Sequence, residues 1–396
     1  MSSSATSKFA DLDWGLLSLI LAILGFGLVM LTSASISVAE NSMGQPFYYL
    51  IQQLMAVVAG IIVAALVLNT PTEIWERSAP VLFLIAVALL LAVFVPGLGR
   101  EVNGSTRWLS LGGINIQVSE PARLMVLMYV SSYAVRHRDD FDTSLKTFLQ
   151  PMVLVAVVCG LLLAEPDFGA TFVILLISMS VLFVAGAPIR YFVGLCVFVI
   201  AGLTALAVSA PYRLARLTGF TDPWGDPFGS GFQLTQSLIA IGSGELFGAG
   251  LGNSVQKLFY LPEAHTDFVF AVFAEEFGLA GTIILIGLFS VLVWRAFSIA
   301  MAAAARDRFY QAYLAFGIAV WQGAQVFINL GVNMGILPTK GLTLPLISYG
   351  RSSLIITLAA LALLLRIDME TRGVVASTGP SGKAKKRKPV VGKKRS

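Results

Sequence analysis

The sequence predicts an all-α polytopic membrane protein with ten transmembrane helices. Three observations predict it. Of 396 residues, 57% are hydrophobic and only 12% charged, against about 25% charged in soluble domains. The mean hydropathy is +0.82. Stretches free of Asp, Glu, Lys and Arg recur along the chain, each near the ~20 residues a spanning helix needs. This balance excludes a soluble enzyme, a nucleic-acid-binding protein and a disordered scaffold. The net charge of +5 reads as membrane orientation, with no nucleic-acid partner implied.

Residues 14–39, 41–72 and 78–99 each leave room for one span, and 147–164, 168–189 and 191–212 for three more. A helix starting near Asp267 continues through 277–294; 309–339 holds another, and 352–365 is the core of the last. Residues 117–135 complete the ten, although they carry Glu120 and Arg123. Asp11 and Asp13 precede the first run where a cleavable signal would have a basic region. Cys159 and Cys196 lie in apolar runs and read as core filler. Neither Cys nor His shows a metal-ligand spacing.

Lys and Arg distribution sets the orientation. With a cytoplasmic N-terminus, the inner loops and termini hold Lys8, Arg77, Arg136, Arg138, Lys146, Arg190, Arg295, Arg306, Arg308, Arg366 and Arg372. The outer loops hold Arg100, Arg107, Arg213, Arg216, Lys257 and Lys340, with Arg351 near an end. Both termini are therefore expected inside. The chain divides into a cytoplasmic segment 1–13, a transmembrane domain 14–366, and a basic low-complexity tail 367–396. That tail reads first as a solvated element that fixes topology, and second as a contact for anionic membrane lipids, at about 1 kcal/mol per basic residue.

Three outer segments stand out: 96–116, 211–266 and 335–347. The second, between helices seven and eight, is far longer than a connector needs to be, and long ordered loops carry function. Within it, 232–246 is semi-apolar and reads equally as a re-entrant segment or as a loop helix packed on the bundle.

Ionisable groups at membrane depth need a reason. Glu120 and Arg123, spaced i,i+3, can pair with each other. Glu165-Pro166-Asp167 reads as a helix stop followed by an N-cap. Lys257 to Asp267 leads into a helix that also carries Glu275 and Glu276. Lys340 precedes the turn Ser348-Tyr349-Gly350-Arg351. On physics alone Asp267, at a helix N-terminus on the outer surface, is a cap more often than a catalyst.

The run Gly248-Ala249-Gly250-Leu251-Gly252, Gln256-Lys257 and Leu261-Pro262-Glu263-Ala264-His265-Thr266-Asp267-Phe268, with Asp222-Pro223-Trp224 and Gly229-Ser230-Gly231-Phe232-Gln233 before it, resembles the SEDS family of bacterial shape, elongation, division and sporulation proteins. Leu337-Pro338-Thr339-Lys340-Gly341-Leu342-Thr343-Leu344-Pro345 is similar to its second signature, in wording closer to the division branch than to the elongation branch. The resemblance covers residues 14–365. Arg351 stands where the family commonly has Gly, Phe259 where some division homologues carry an acid, and Gln117-Val118-Ser119-Glu120-Pro121 displaces a family proline.

The resemblance implies a peptidoglycan glycosyltransferase of the bacterial inner membrane and division septum, which polymerises lipid II and releases undecaprenyl diphosphate. It implies Asp267 as general base, with Lys257 and Lys340 holding diphosphate and Arg107 a candidate for the same work. His265 and Glu263 would orient Asp267 or touch sugar, and Gln236 would bond sugar or peptide. No cofactor is demanded. A divalent cation, Mg or Mn, is compatible with diphosphate, and Asp222, Asp226 and Glu263 share one loop, but their spacing reads equally as turns. Implied partners are a class B penicillin-binding transpeptidase, FtsI, and the regulators FtsQ, FtsL and FtsB. The FtsI helix is expected against helices eight and nine, where Gly278, Gly281, Gly317 and Gly323 permit close approach. Two other readings compete. A lipid II flippase or other transporter would use the mid-membrane acids Glu120, Glu275 and Glu276. A non-enzymatic division scaffold would be indifferent to neutral changes at Asp267 and Lys340.

Overall fold

The computed structural model describes residues 12–102, 105–111, 114–197, 222–229, 231–338 and 341–373. Its helices are α1 Trp14–Met43, α2 Tyr48–Asn69, α3 Thr72–Ala92, α4 Ser119–Arg136, α5 Leu145–Ala164, α6 Phe168–Val184, α7 Phe232–Ser243, α8 Val269–Ala304, α9 Phe309–Asn333 and α10 Arg351–Arg372. All but α7 correspond to an expected span. The remaining expected span, 191–212, is helical over 189–197 and then leaves the described residues.

Seven of these helices (α1, α2, α3, α5, α8, α9 and α10) are long and apolar enough to cross a membrane, and α6 is a shorter apolar helix. Lipid-exposed helices keep large apolar side chains on the surface: Val58, Ile62 and Leu66 of α2 and Ile283 and Ile284 of α8 are all more than half exposed. α10 is the opposite. Its residues from Thr357 to Leu365 are buried on every side, which marks a central helix. It packs along α2, while α8 packs along α9 and α3 along α4.

Two buried clusters fix one end of the bundle. Glu370 accepts from the Thr72 N–H (3.0 Å) and the Arg366 Nε (2.7 Å), and its second oxygen takes the Thr72 hydroxyl. Arg366 also donates to the Leu68 carbonyl (3.0 Å). Asp13 caps α1 through the Leu16 N–H (3.1 Å) and pairs with Arg295 of α8.

The all-α expectation needs one correction. Residues 96–116 do not stay irregular: β1 Gly99–Val102, β2 Ser105–Leu111 and β3 Ile114–Gln117 form an antiparallel sheet in the order β1-β2-β3. Trp108 pairs with Gln117 and Leu109 with Ile116, and a bulge lies between Arg100 and Glu101. The reason is local. Successive side chains of β2 point to opposite faces of the sheet, and Leu109 is buried on one of them.

α7 is a loop helix packed on the bundle. It buries Leu234, Thr235, Ser237 and Ala240. α8 is broken at Gly278, where φ is +65°. The freed backbone groups pair with the segment after α7. Ala249 and Gly250 N–H donate to the Glu275 and Glu276 carbonyls (2.9 and 3.0 Å), and Leu279 and Ala280 N–H donate to Glu245 and Leu246 (2.9 and 3.0 Å). A Cβ on Gly248 would stand 2.1 Å from the Glu276 oxygen, so only glycine permits this approach.

Candidate active site

Asp267 lies two residues before α8. It does not cap the helix: the N-cap is Phe268, without a side-chain bond. The Ala271 N–H is satisfied instead by Asn333 Oδ1 (3.2 Å). The Asp267 main chain is held from α9, since its carbonyl accepts from Asn329 Nδ2 (2.9 Å) and Asn333 Nδ2 (3.0 Å). Asn329 Nδ2 also donates to the Leu342 carbonyl (2.7 Å). One amide therefore ties Asp267 to the loop that enters at Gly341. A Cβ on Gly341 would stand 3.3 Å from Asp267 Oδ2. Among the described residues no hydrogen bond holds the Asp267 carboxylate. Burial pushes its pKa up to about 7, the neighbouring Glu263 adds to the rise, and Arg107 opposes it.

Glu263 is exposed, with φ +56°, and accepts from the Thr266 hydroxyl (2.7 Å). His265 is half-buried. Its ring lies 4.5 Å from that of Tyr49 and 5.9 Å from that of Tyr349, and burial lowers its pKa. Its carbonyl accepts from the Tyr349 N–H (2.9 Å), a second tie between the Asp267 segment and the loop before α10.

Arg107 of β2 donates Nε to the Glu165 carbonyl (3.1 Å) and a terminal nitrogen to the Pro166 carbonyl (2.7 Å). Its charge acts on both Asp267 and Glu165. Glu165 is 1% exposed, and neither carboxylate oxygen has a hydrogen-bond partner among the described residues. Burial first and Asp167 second push its pKa up to about 8. Asp167 caps α6 through the Ala170 N–H (3.0 Å), as its sequence position implied. Gln236 is half-buried on α7, whose next residue, Ser237, donates to the Asn333 carbonyl (2.9 Å). Lys340 lies outside the described residues.

The structure places Lys257 inside the fold. Its ammonium is buried, 2.7 Å from Glu276 Oε1 and 2.9 Å from the Ser33 hydroxyl. In this geometry the Lys257 ammonium is engaged by an internal carboxylate. The other acids carried by the helices are committed in the same way. Glu275 accepts from the Val255 and Gln256 N–H groups (3.0 and 3.3 Å) and from the Ser254 hydroxyl. Glu120 pairs with Arg123 (3.3 Å), which reaches Gln325 (3.1 Å). These acids serve packing, which removes the main support for a transport relay.

Two of the glycines on α8 and α9 face other segments of the chain. Gly278 faces the Gly248 and Gly244 backbones, and Gly317 faces Leu127 and Val181.

Asp222 is used in a turn, accepting from the Gly225 N–H (3.1 Å). Among the described residues no three His, Cys, Asp or Glu side chains are placed to share an ion.

Sequence reading missed Asn329 and Asn333. The signal was present: Gln325, Asn329 and Asn333 recur every fourth residue of α9, a polar stripe on an otherwise apolar helix.

A multi-pass membrane bundle in which the part-buried Asp267 carboxylate, unbonded among the described residues, lies within the field of Arg107 just before a broken helix defines an acid site on a membrane protein. The chain belongs to the cell cycle protein family that groups FtsW, RodA and SpoVE, whose model matches residues 14–373. It is 54% identical over 360 residues to a probable peptidoglycan glycosyltransferase FtsW of Thioalkalivibrio sulfidiphilus, covering 91% of this chain and 90% of that one. It is 48% identical over 387 residues to the protein of the same description from Hahella chejuensis, covering 98% of each. Its fold superposes on a chain from a peptidoglycan synthase complex that coordinates polymerization and crosslinking, with TM-score 0.75, 33% identity, and 91% and 98% of the two chains covered. It also superposes on the rod shape determining protein RodA of Thermus thermophilus, with TM-score 0.67, 33% identity, and 91% and 97% covered.

Proposed function

We propose that this protein is a peptidoglycan glycosyltransferase that polymerises lipid II at the outer face of the bacterial inner membrane, at the division septum. Both termini lie in the cytoplasm, as the Lys and Arg distribution requires. The observation that carries the reading is Asp267: a carboxylate without a hydrogen-bond partner among the described residues, with a pKa near 7. A general base works best when its pKa lies near the operating pH.

The acceptor GlcNAc 4-hydroxyl gives its proton to the Asp267 carboxylate as its oxygen attacks C1 of the donor MurNAc. The C1–oxygen bond to diphosphate breaks with inversion, and undecaprenyl diphosphate departs with the electron pair. Diphosphate leaves as a stable anion, so no partner acid is needed, unlike the carboxyl pair of glycoside hydrolysis. Arg107 and Lys340 supply positive charge for the departing group. His265 and Glu263 set the charge and orientation around Asp267, and Gln236 on α7 meets sugar or peptide. No step is assigned to a metal. A class B penicillin-binding transpeptidase, with FtsQ, FtsL and FtsB, is the partner set that would couple polymerisation to crosslinking.

The test is lipid II polymerisation by the reconstituted protein with its transpeptidase. Asp267→Asn removes the base while keeping size and is expected to lower the rate by about 10²–10⁴-fold. Wild-type turnover by that variant overturns the assignment.

A further inference from the structure

α1 and α8 are tied to each other by two polar contacts. Asp13 meets Arg295 at one level. Ser33 donates to Glu276 Oε1 (2.7 Å) at the other, with Lys257 on the same oxygen. Ser33 lies twenty residues beyond Asp13 on α1, and Glu276 lies nineteen residues before Arg295 on α8. At 1.5 Å per residue both separations are about 30 Å, the thickness of a bilayer's hydrocarbon core. Two ties that far apart match the two boundaries of such a core, with Lys257, Glu276 and Ser33 at the outer one.

The loop inserted at the α8 break lies at that same level, because its backbone is bonded to Glu275, Glu276, Leu279 and Ala280. Gly278, seventeen residues from Arg295, is ~26 Å from the inner boundary, still within the core. Between Leu246 and Tyr260 the only charged residue is Lys257, and it is buried. Seven large apolar or aromatic side chains of this stretch are nevertheless exposed: Leu246, Phe247 (82%), Leu251, Val255, Leu258, Phe259 and Tyr260. Phe247 adjoins Leu246, whose carbonyl takes the Ala280 N–H (3.0 Å), so this surface continues the exposed face of α8 at Leu279 and Ile283. Irregular backbone is tolerated at membrane depth only when its polar groups are satisfied by protein. The pairing with the broken helix supplies that for residues 245–250.

From this juxtaposition we propose that residues 246–260 form a lipid-contacting surface seated in the outer leaflet, with phospholipid acyl chains against Phe247 and Leu251 and the aromatic rings of Phe259 and Tyr260 at the headgroup boundary. A patch this apolar on a water-facing loop would be costly, whereas aromatic side chains belong at a membrane interface. The segment that leads to Asp267 is then anchored in the leaflet that holds lipid-linked sugars.

The experiment uses the full-length protein without partners in phosphatidylethanolamine–phosphatidylglycerol vesicles. Single cysteines are placed in a Cys159→Ala, Cys196→Ala background and labelled with an environment-sensitive fluorophore. Phe247→Cys and Leu251→Cys report the loop. Ile284→Cys, exposed on α8, and Asp139→Cys, exposed between α4 and α5, are the lipid and water references. Spin-labelled acyl chains are expected to quench the two loop sites as they quench position 284, with little quenching by aqueous iodide. Quenching by iodide at the level of position 139 overturns the proposal. Protection from both quenchers also overturns it, since protein, a second copy included, would then cover the surface. Lipid II polymerisation measured on the same vesicles separates this result from the catalytic reading.

Discussion

Asn329 holds Asp267. A single side-chain nitrogen on α9 donates to the Asp267 carbonyl at 2.9 Å and to the Leu342 carbonyl at 2.7 Å, fixing the acid's main chain to the loop on its other side. Asn333, one turn further, repeats the bond to Asp267 at 3.0 Å. Asn329→Leu removes both donations, cuts the tie to the Leu342 carbonyl and leaves Asn333 as the remaining side-chain hold on the Asp267 carbonyl. The expected outcome is a large fall in kcat with KM little changed, because displacing a reacting group by about 1 Å costs on the order of 10²-fold. Steady-state kinetics on vesicles check this, and an unchanged kcat in a folded Asn329→Leu protein refutes the positioning role.

The rate should rise with pH through about 7. Asp267 acts as a base only when ionised, and burial together with Glu263 holds its pKa near that value. Glu263→Gln removes the neighbouring negative charge, which makes ionisation easier, so the acid limb of the profile should move to lower pH. The shift will be modest because Glu263 is exposed and solvent screens it. A profile that moves upward, or stays flat between pH 5 and 8 in the parent protein, contradicts the role of Asp267.

Glu165 predicts a pH dependence of stability. Its folded-state pKa is about 8, against an ordinary value of 4.5. Between those limits the folded protein binds more protons at this residue than the unfolded chain does, so stability falls as pH rises across the window. Glu165→Gln keeps the neutral shape and cannot ionise. Its melting temperature is expected to match the parent at acidic pH and to exceed it above about 8. Parallel melting curves for the two proteins would exclude this account.

Lys257 separates structure from chemistry. Lys257→Met leaves Glu276 ionised and unpaired, a loss of about 3–5 kcal/mol for a broken buried pair. Adding Glu276→Gln removes the uncompensated charge and should recover much of the stability and, with it, polymerisation. If the double variant regains its melting temperature but not its activity, Lys257 contacts substrate after all.

The membrane class was legible in the sequence because hydropathy is a local property: every expected span has a helix at its position, with 191–212 described only as far as residue 197. Glu120–Arg123 was legible for the same reason, since i,i+3 spacing brings two side chains together within one helix. The sheet could have been anticipated from Asn103-Gly104 and Gly112-Gly113, two turn dipeptides that flank the short β2 run.

By itself the sequence determined a multi-pass helical protein of one family, with Asp267 at the mouth of its eighth expected helix. Only the tertiary structure decided what each charge does. Lys257 and Arg107 look alike as basic residues in outer loops, yet Lys257 is neutralised by Glu276, nineteen residues away, while Arg107 reaches across the bundle to Glu165 and stays within range of Asp267. The division follows from range. Hydropathy and helical period act over a few residues, whereas the protonation state and partner of a buried charge depend on whatever distant segments the fold packs beside it.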